Sequence, residues 1–323
     1  MDCQLTVIIT FKNEGNEVFC TLKSLGEKSL SQYETILIND SSDDGYDYDS
    51  LKEKFDCIYI KHNLTKGPAI SRQEGIGLCK TKYFLLLDAH MRAETIGWDS
   101  YIINAINRDP NGLYCCLTDK LICDKNSECI ASDSTGGGVV LDLESLSYKW
   151  INYRSSSDDI SQIPCLMGAS YCGNKEYWNR IHGLVGLKSY GFEEQLISLK
   201  TYMEGGKCYV INVIRFAHKF KTSKNVTFKP NIVSYIYNKL YIVELLYPLR
   251  LKIPAFQKVK RLTDSQTFNL AMQEFFINRE LIWEEKKYMA KISSKDFSTF
   301  VEFNNMFNKK DFYEKENEPN IRK

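Results

Sequence analysis

Tyr83-Phe-Leu-Leu-Leu-Asp-Ala-His90 is the stretch on which the reading of this chain turns. Large apolar residues run without interruption into Asp88, Ala89 and His90. A run this short, apolar throughout and bounded by polar segments, reads as a strand buried on both faces. Residues two apart on a strand point to the same side, so the carboxylate and the imidazole at its end can reach one object. In an open parallel sheet, ligands collect beyond the carboxyl ends of the strands. Asp-x-His in that place points to a divalent cation. The plainer alternative is an Asp that caps the next turn beside a surface His.

The segments around this strand extend the pattern. Residues 5–10 (Leu-Thr-Val-Ile-Ile-Thr) form a β-rich run, followed by the polar turn 11–15 and a helix over about 16–30. Glu34–Asn39 reads as a second strand and ends in the carboxylate-rich turn 40–45. A short helix over 49–55 and a strand over 57–60 follow. Gly67-Pro68 opens a helix to about residue 79, with Pro where a missing donor is tolerated. Strand and helix alternate at short spacing, which predicts a mostly parallel, Rossmann-like sheet with helices on both sides.

Beyond His90 the spacing predicts a helix over 97–107, strands over 113–121 and 138–143, and a loop over 155–161. It predicts helices over 175–181 and 193–203, the second stopped by Gly205-Gly206, and a strand over 207–213 leading to His218. From Asn231 onward aromatic and aliphatic residues recur at helical spacing, over 233–246 and 266–281. The expected division is a catalytic domain over 1–230 and a helical C-terminal extension over 231–323, with a polar, frayed end.

Composition narrows the function classes. The 323 residues carry a formal net charge of +1, which gives no global attraction to nucleic acid or anionic membranes. No stretch is apolar for the roughly 18 residues a membrane span needs, and no basic-then-apolar leader opens the chain. The cytoplasm is the expected location, without integral membrane association. The 11 cysteines are an odd number with no Cys-x-x-Cys, and read as reduced thiols, mostly buried. There is no P-loop, no Gly-x-Gly-x-x-Gly and no Cys/His zinc pattern.

The ordered set Thr6-Val-Ile-Ile-Thr-Phe-Lys-Asn-Glu14, Asp40, Arg72 and Asp88-Ala-His90 resembles the nucleotide-sugar half of GT-A glycosyltransferases. More closely, it is similar to polypeptide N-acetylgalactosaminyltransferases and their bacterial and phage relatives in the large family-2 group. Pro164-Cys-Leu-Met-Gly-Ala-Ser-Tyr171 is similar to that family's Met-Ala-Gly-Gly segment, and Tyr190-Gly-Phe-Glu-Glu-Gln-Leu196 to its Trp-Gly-Gly-Glu-Asn segment. Gly205-Gly-Lys207 and Phe216-Ala-His-Lys-Phe220 resemble its Gly-Gly and His-Val-Phe-Arg segments. The resemblance spans residues 4 to about 250 in order. Tyr190, Phe192 and Glu194 depart from the family's Trp, Gly and Asn. The family's C-terminal lectin domain and N-terminal membrane anchor are expected to be missing, since no threefold repeat and no long apolar stretch is seen in these residues.

The resemblance implies a metal-dependent transferase that uses a UDP-sugar, GalNAc or another hexose or HexNAc, with protein Ser/Thr as the favoured acceptor. A glycan or a modified base of phage-type DNA is the alternative acceptor, and a non-catalytic sugar-nucleotide-binding protein is the alternative from another class. It implies His218 as a third metal ligand beside Asp88 and His90. A mixed oxygen and nitrogen set fits Mn²⁺ better than Mg²⁺. Asp40 is implied to face uracil and ribose, or it is a turn Asp. Thr10, Asn13 and Glu14 end the first strand, where a nucleotide would sit; Glu14 either accepts from a ribose hydroxyl or caps the next helix. Arg72 matches an Arg that contacts diphosphate or sugar. Gly168-Ala169 would let the backbone approach the sugar, or simply pack tightly. Glu193 matches the carboxylate beside sugar and acceptor, in a retaining reaction by the closer resemblance. Inverting relatives place an acidic base there, a role open to Glu193 or Glu194. Lys219, Lys221 and Lys224 form either a solvated loop or a mobile lid over the diphosphate.

Overall fold

The computed structural model describes residues 3–123, 128–152, 158–221 and 229–308. Its first half runs β1 (Leu5–Phe11), α1 (Glu17–Lys28), β2 (Glu34–Asn39), α2 (Ser50–Lys54), β3 (Ile58–Lys61), α3 (Pro68–Leu78) and β4 (Tyr83–Asp88). There follow β5 (Met91–Ala93), α4 (Trp98–Arg108), β6 (Gly112–Cys123), β7 (Glu128–Leu141), β8 (Tyr148–Asn152), β9 (Ile160–Ile163) and β10 (Ser170–Asn174). Next come α5 (Lys175–Arg180), α6 (Glu193–Glu204) and β11 (Lys207–His218). The chain closes with α7 (Ile232–Leu246), α8 (Leu249–Leu262), α9 (Ser265–Ile277), α10 (Arg279–Ile292) and α11 (Phe297–Asn308).

The strands form one 11-stranded sheet whose main path is β3-β2-β1-β4-β10-β6-β11-β5. β3, β2, β1 and β4 are parallel neighbours, as the alternating pattern predicts. Beyond β4 the sheet is mixed, because β10 inserts antiparallel between β4 and β6 while β6 and β11 pair in parallel. β10 is made of small residues and tyrosine, Ser-Tyr-Cys-Gly-Asn, and carries no β-branched signal. Gly173 suits the place because a Cβ there would stand 2.7 Å from the Leu113 side chain.

Alternation along the strands divides the core between two faces. Val7, Ile9, Leu85 and Leu87 pack with Val18 and Leu22 of α1 and Trp98 and Ile102 of α4. Ile8, Phe84 and Leu86 pack on the opposite side with Ile76 of α3. Each such buried Leu or Ile contributes about 1.5–3 kcal/mol relative to exposure. The second cluster continues through Leu196 and Leu199 of α6 into Tyr237 and Leu240 of α7 and Phe300 of α11, so one core runs across residue 230. All 11 cysteines are free thiols, and Cys57, Cys115, Cys116 and Cys208 are buried, as expected. Among the described residues no helix is long and apolar enough to cross a membrane.

Candidate active site

The end of β4 and the end of β11 bring the sequence's candidate ligands together. The register of β11 against β6 jumps between Ile211 and Arg215, and the strand then continues to His218 instead of stopping near residue 213. One donor atom from each of Asp88, His90 and His218 lies within 4.8 Å of the others. His218 Nε2 is 3.5 Å from Asp88 Oδ2, and the two imidazole rings lie 4.8 Å apart. Both ring nitrogens of His218 are buried and neither makes a hydrogen bond. Buried polar atoms are nearly always satisfied, so an orphaned Nε2 that faces the Asp88 carboxylate, beside a second imidazole, fits a metal ion. Phe220 stacks edge-on to His218 and touches Trp150, which shields this side.

The surroundings hold these ligands in the state a metal needs. His90 Nδ1 is 3.1 Å from Glu14 Oε2, which leaves Nε2 for other use. Burial would raise Glu14, but His90 and Lys221 hold its carboxyl below the ordinary value. Glu14 therefore does not cap α1 through its side chain. Burial would raise Asp88 also, but His218 and the Arg72 charge hold it well below the usual carboxylate range. Lys219 is paired with Glu17 and Lys221 with Glu14. Both side chains are thus engaged by acidic residues near the start of α1, and Lys224 lies outside the described residues.

Arg72, on α3, is the hub between metal ligands and acidic pair. It donates to Asp88 Oδ1 at 2.7 Å, to Glu194 Oε1 at 3.4 Å and to the Tyr171 hydroxyl at 3.3 Å. Burial opposes its charge, but Tyr171, Asp88 and Glu194 raise it further and keep it cationic. Two of these three partners are carboxylates of the protein itself. Gly168 faces the same group, since a Cβ would stand 3.0 Å from the Glu194 carboxyl carbon.

Glu193 and Glu194 open α6 but differ in surroundings. Glu193 is 3% exposed; its Oε2 accepts from the Gly191 N–H at 3.0 Å and its Oε1 is buried without a partner. Glu194 is less buried and faces Arg72. Burial pushes both carboxyls up, and the charge of Glu194 pushes Glu193 further, to about 7, against the pull of Arg72.

Asp40 is buried and its acceptors are engaged within the protein. Oδ1 takes His62 Nδ1 and the Lys66 N–H, and Oδ2 takes the Gly67 N–H, all at 2.8 Å. Its side chain anchors the loop entering α3. Gly67 has φ +88°, and a Cβ there would stand 2.4 Å from Ser189 Cα. Ala69 N–H donates to the Ser189 carbonyl at 3.1 Å. Asp40 therefore fixes the turn that leads to Glu193 from a distance. Asn13 has φ +56°, and its amide exchanges hydrogen bonds with Asp43, tying the β1 and β2 exits together. Thr10 is half-buried and pairs in register with Asp88.

The sequence reading missed Asn238 on α7. Its amide oxygen accepts from the Lys188 N–H, and its nitrogen donates to the carbonyls of Lys188 and Gly191. An Asn inside a long apolar helical run is the signal the sequence offered; the structure buries it fully. Tyr171 was legible as part of a motif but not as a partner of Arg72.

Comparison with known proteins agrees with this geometry. Residues 6–134 match the model for glycosyl transferase family 2. They form a glycosyl transferase family 2 domain. Asp40, Arg72, Asp88 and His90 fall inside this family 2 domain, while Glu193, Glu194 and His218 come from the chain beyond it. An inactive polypeptide N-acetylgalactosaminyltransferase-like protein 5 from Macaca fascicularis is 25% identical over 262 residues, covering 74% of this chain and 56% of its own length. A probable polypeptide N-acetylgalactosaminyltransferase 8 from Homo sapiens is 25% identical over 230 residues, covering 66% and 36%. The chain thus spans about half the length of such relatives, or less. The crystal structure of GalNAc-T7 with UDP, GalNAc and Mn²⁺ matches with a TM-score of 0.77 at 19% identity, covering 94% of this chain and 57% of that one. The fold beyond the family 2 domain is accordingly that of a GT-A glycosyltransferase.

Proposed function

We propose that this protein is a metal-dependent glycosyltransferase that moves a sugar, GalNAc or a related hexose or HexNAc, from a UDP-sugar to a hydroxyl acceptor, with protein Ser/Thr favoured. The observation that carries the reading is the convergence of Asp88, His90 and the unsatisfied His218 beside the Arg72–Glu194 pair. The names of the relatives, and the UDP, GalNAc and Mn²⁺ held by GalNAc-T7, support the choice of donor and ion. One relative is named inactive, so the case for catalysis rests on the residues present here.

Asp88, His90 and His218 would hold the ion, which when bound neutralises charge growing on the departing diphosphate. Glu14 orients His90, and Arg72 orients Asp88 and Glu194. Glu194, the less buried of the pair, is the carboxylate placed to face the sugar and stabilise positive charge at its anomeric carbon. Glu193 serves as the positioning residue of the Gly191 turn. An α-linked donor would then give an α-linked product.

The test is mass spectrometry of peptides, glycans and hydroxymethylated DNA after incubation with several UDP-sugars and Mn²⁺, with NMR of the new linkage. Transfer to peptide Ser/Thr that stops on chelation and returns with Mn²⁺ is expected. Full turnover in excess chelator would overturn the metal-dependent reading, and UDP-sugar binding without any turnover would make the chain a binding protein. A β linkage would make Glu193 or Glu194 the base of an inverting reaction.

A further inference from the structure

Between them, α8 and α9 present outward sides that carry both cations and large apolar groups. α8 carries Arg250, Lys252, Lys258, Lys260 and Arg261 and neither Asp nor Glu. Ala255 and Val259 turn inward, which leaves Leu249, Arg250, Ile253, Lys260 and Arg261 along the opposite, solvent-facing side. Leu249 is 70% exposed and Ile253 51%. On α9 the outward side bears Leu270, Phe276 and Ile277, the last two 58% and 80% exposed, between uncharged Gln and Asn residues. Its single acidic residue, Glu274, is turned to Lys188.

The two helices are joined by Thr263 and Asp264 and pack through Phe256 and Phe275, whose rings lie 6.2 Å apart. Each helix thus leaves its exposed side free of this contact, and Leu262, 64% exposed, ends α8. Two carboxylates near α8 are engaged locally. Asp264 accepts from the Thr267 N–H as the cap of α9, and Asp296, which lies near Arg250, accepts from Ser298. Lys252 pairs with Glu244 and Lys258 lies 3.5 Å from Glu144. Lys260 and Arg261 have no ion-pair partner among the described residues.

Cations interleaved with large exposed aliphatic and aromatic groups select among partners. A nucleic-acid backbone would neutralise the cations but leave Ile253, Phe276 and Ile277 in water. An apolar protein surface would cover those and bury the cations without counter-charge. The headgroup region of an anionic bilayer accepts both at once, the apolar groups entering the acyl boundary and the cations meeting phosphates. With a net charge of only +1 on the whole chain, such attraction is local to this face. We propose that the α8–α9 face docks the protein peripherally on membranes rich in anionic phospholipid.

The test is co-sedimentation of the full chain with phosphatidylcholine vesicles, with and without phosphatidylglycerol, at low and high salt. Binding to the anionic vesicles alone is expected, weakened by salt. Replacing Arg250, Lys260 and Arg261 together by Gln should reduce it at least about tenfold, and so should Ile253→Ser with Ile277→Ser. Both variants should keep the wild-type circular dichroism and unfolding midpoint. No binding, equal binding to neutral vesicles, or wild-type binding by either variant overturns the proposal. So does a salt-sensitive shift of duplex DNA in place of vesicle binding, or light scattering that shows a dimer dissociated by Ile253→Ser.

Discussion

Glu193 and Glu194 are chemically identical neighbours that the fold sets to different tasks. Glu194 reaches the guanidinium of Arg72, whose other end holds Asp88, so its carboxylate is linked to the proposed metal through one side chain. Glu194→Gln should keep UDP binding and lower transfer about 10²-fold or more, the usual consequence of losing a positioned catalytic group; wild-type turnover would remove it from the mechanism. Glu193 answers to a different measurement. Its carboxyl ordinarily ionises near 4.5, but burial and the Glu194 charge raise it to about 7 in the fold. The folded chain thus holds a proton that the unfolded chain releases. The resulting stability is complete below pH 4.5 and is lost as pH rises toward and through 7. Glu193→Gln removes that dependence. Its stability relative to wild type should increase from pH 5 to pH 8, by up to about 3 kcal/mol, in urea unfolding at the two pH values. A difference that does not change with pH would show that Glu193 is ionised throughout. The sequence could nominate this acidic pair from its motif. It could not rank the two members, because which carboxylate turns inward depends on the Gly191 turn and on Arg72, far away in the chain.

At the scale of elements, legibility followed the strength of local pattern. β1, β2 and β4 are continuous apolar runs, and α1, α3 and α6 carry clear starts or glycine stops, so each was readable within a residue or two. β5, β8, β9 and β10 were not: they are three to five residues long and owe their pairing to strands far off in sequence. The predicted helix over 266–281 divides at Asn278 into α9 and α10, whose side-chain nitrogen donates to the Glu274 carbonyl. Helical periodicity does not register a break of one residue. α7 was legible as a helix but not as a clamp. Asn238 satisfies three backbone groups of the 188–191 turn, while Tyr235 closes over Gly191, where a Cβ would stand 2.6 Å from its ring. Asn238→Ala leaves buried donors and acceptors unpaired and should cost about 2–4 kcal/mol. Turnover should fall with it, because the turn carries Glu193 and Glu194 into place. Asn238→Asp should not restore the fold, since two of the three partners are carbonyls that need a donor. Guanidinium unfolding together with UDP-release assays checks both points; an unperturbed Asn238→Ala protein would show the turn to be held elsewhere.

For the whole molecule, the proposed metal and the C-terminal helices both bind distant parts of the chain to one another. Asp88 and His90 lie at the end of the parallel half of the sheet, whereas His218 arrives three strands away at the end of β11. An ion shared by them stabilises only the folded chain. Mn²⁺ with UDP should therefore raise the unfolding temperature, by an amount equivalent to about 2.7 kcal/mol at a hundredfold excess over Kd. His218→Ala should abolish the Mn²⁺ increment, and an equal shift in that variant would place the ion elsewhere. The helices beyond residue 262 raise a related question, because the sequence reads as a catalytic domain followed by a helical extension. Ala271, Ile282, Met289, Phe297 and Phe300 belong to the same buried cluster as Ile8 and Leu86 of the sheet. Asn304 of α11 exchanges two hydrogen bonds with the backbone of Leu141 on β7. Lys200 of α6 is fully buried, 3.7 Å from Glu285 of α10, which also meets His182 at 2.8 Å. Removing one member of a buried charge pair typically costs about 3–5 kcal/mol. A chain ending at Leu262 would lose Glu285, the Asn304 bonds and one wall of the core together, a sum comparable with the whole stability of an ordinary domain. It should lose UDP binding, transfer and cooperative unfolding at once. If that truncated chain instead unfolds cooperatively and still binds UDP with Mn²⁺, the helices are an accessory to the catalytic domain and not one of its walls.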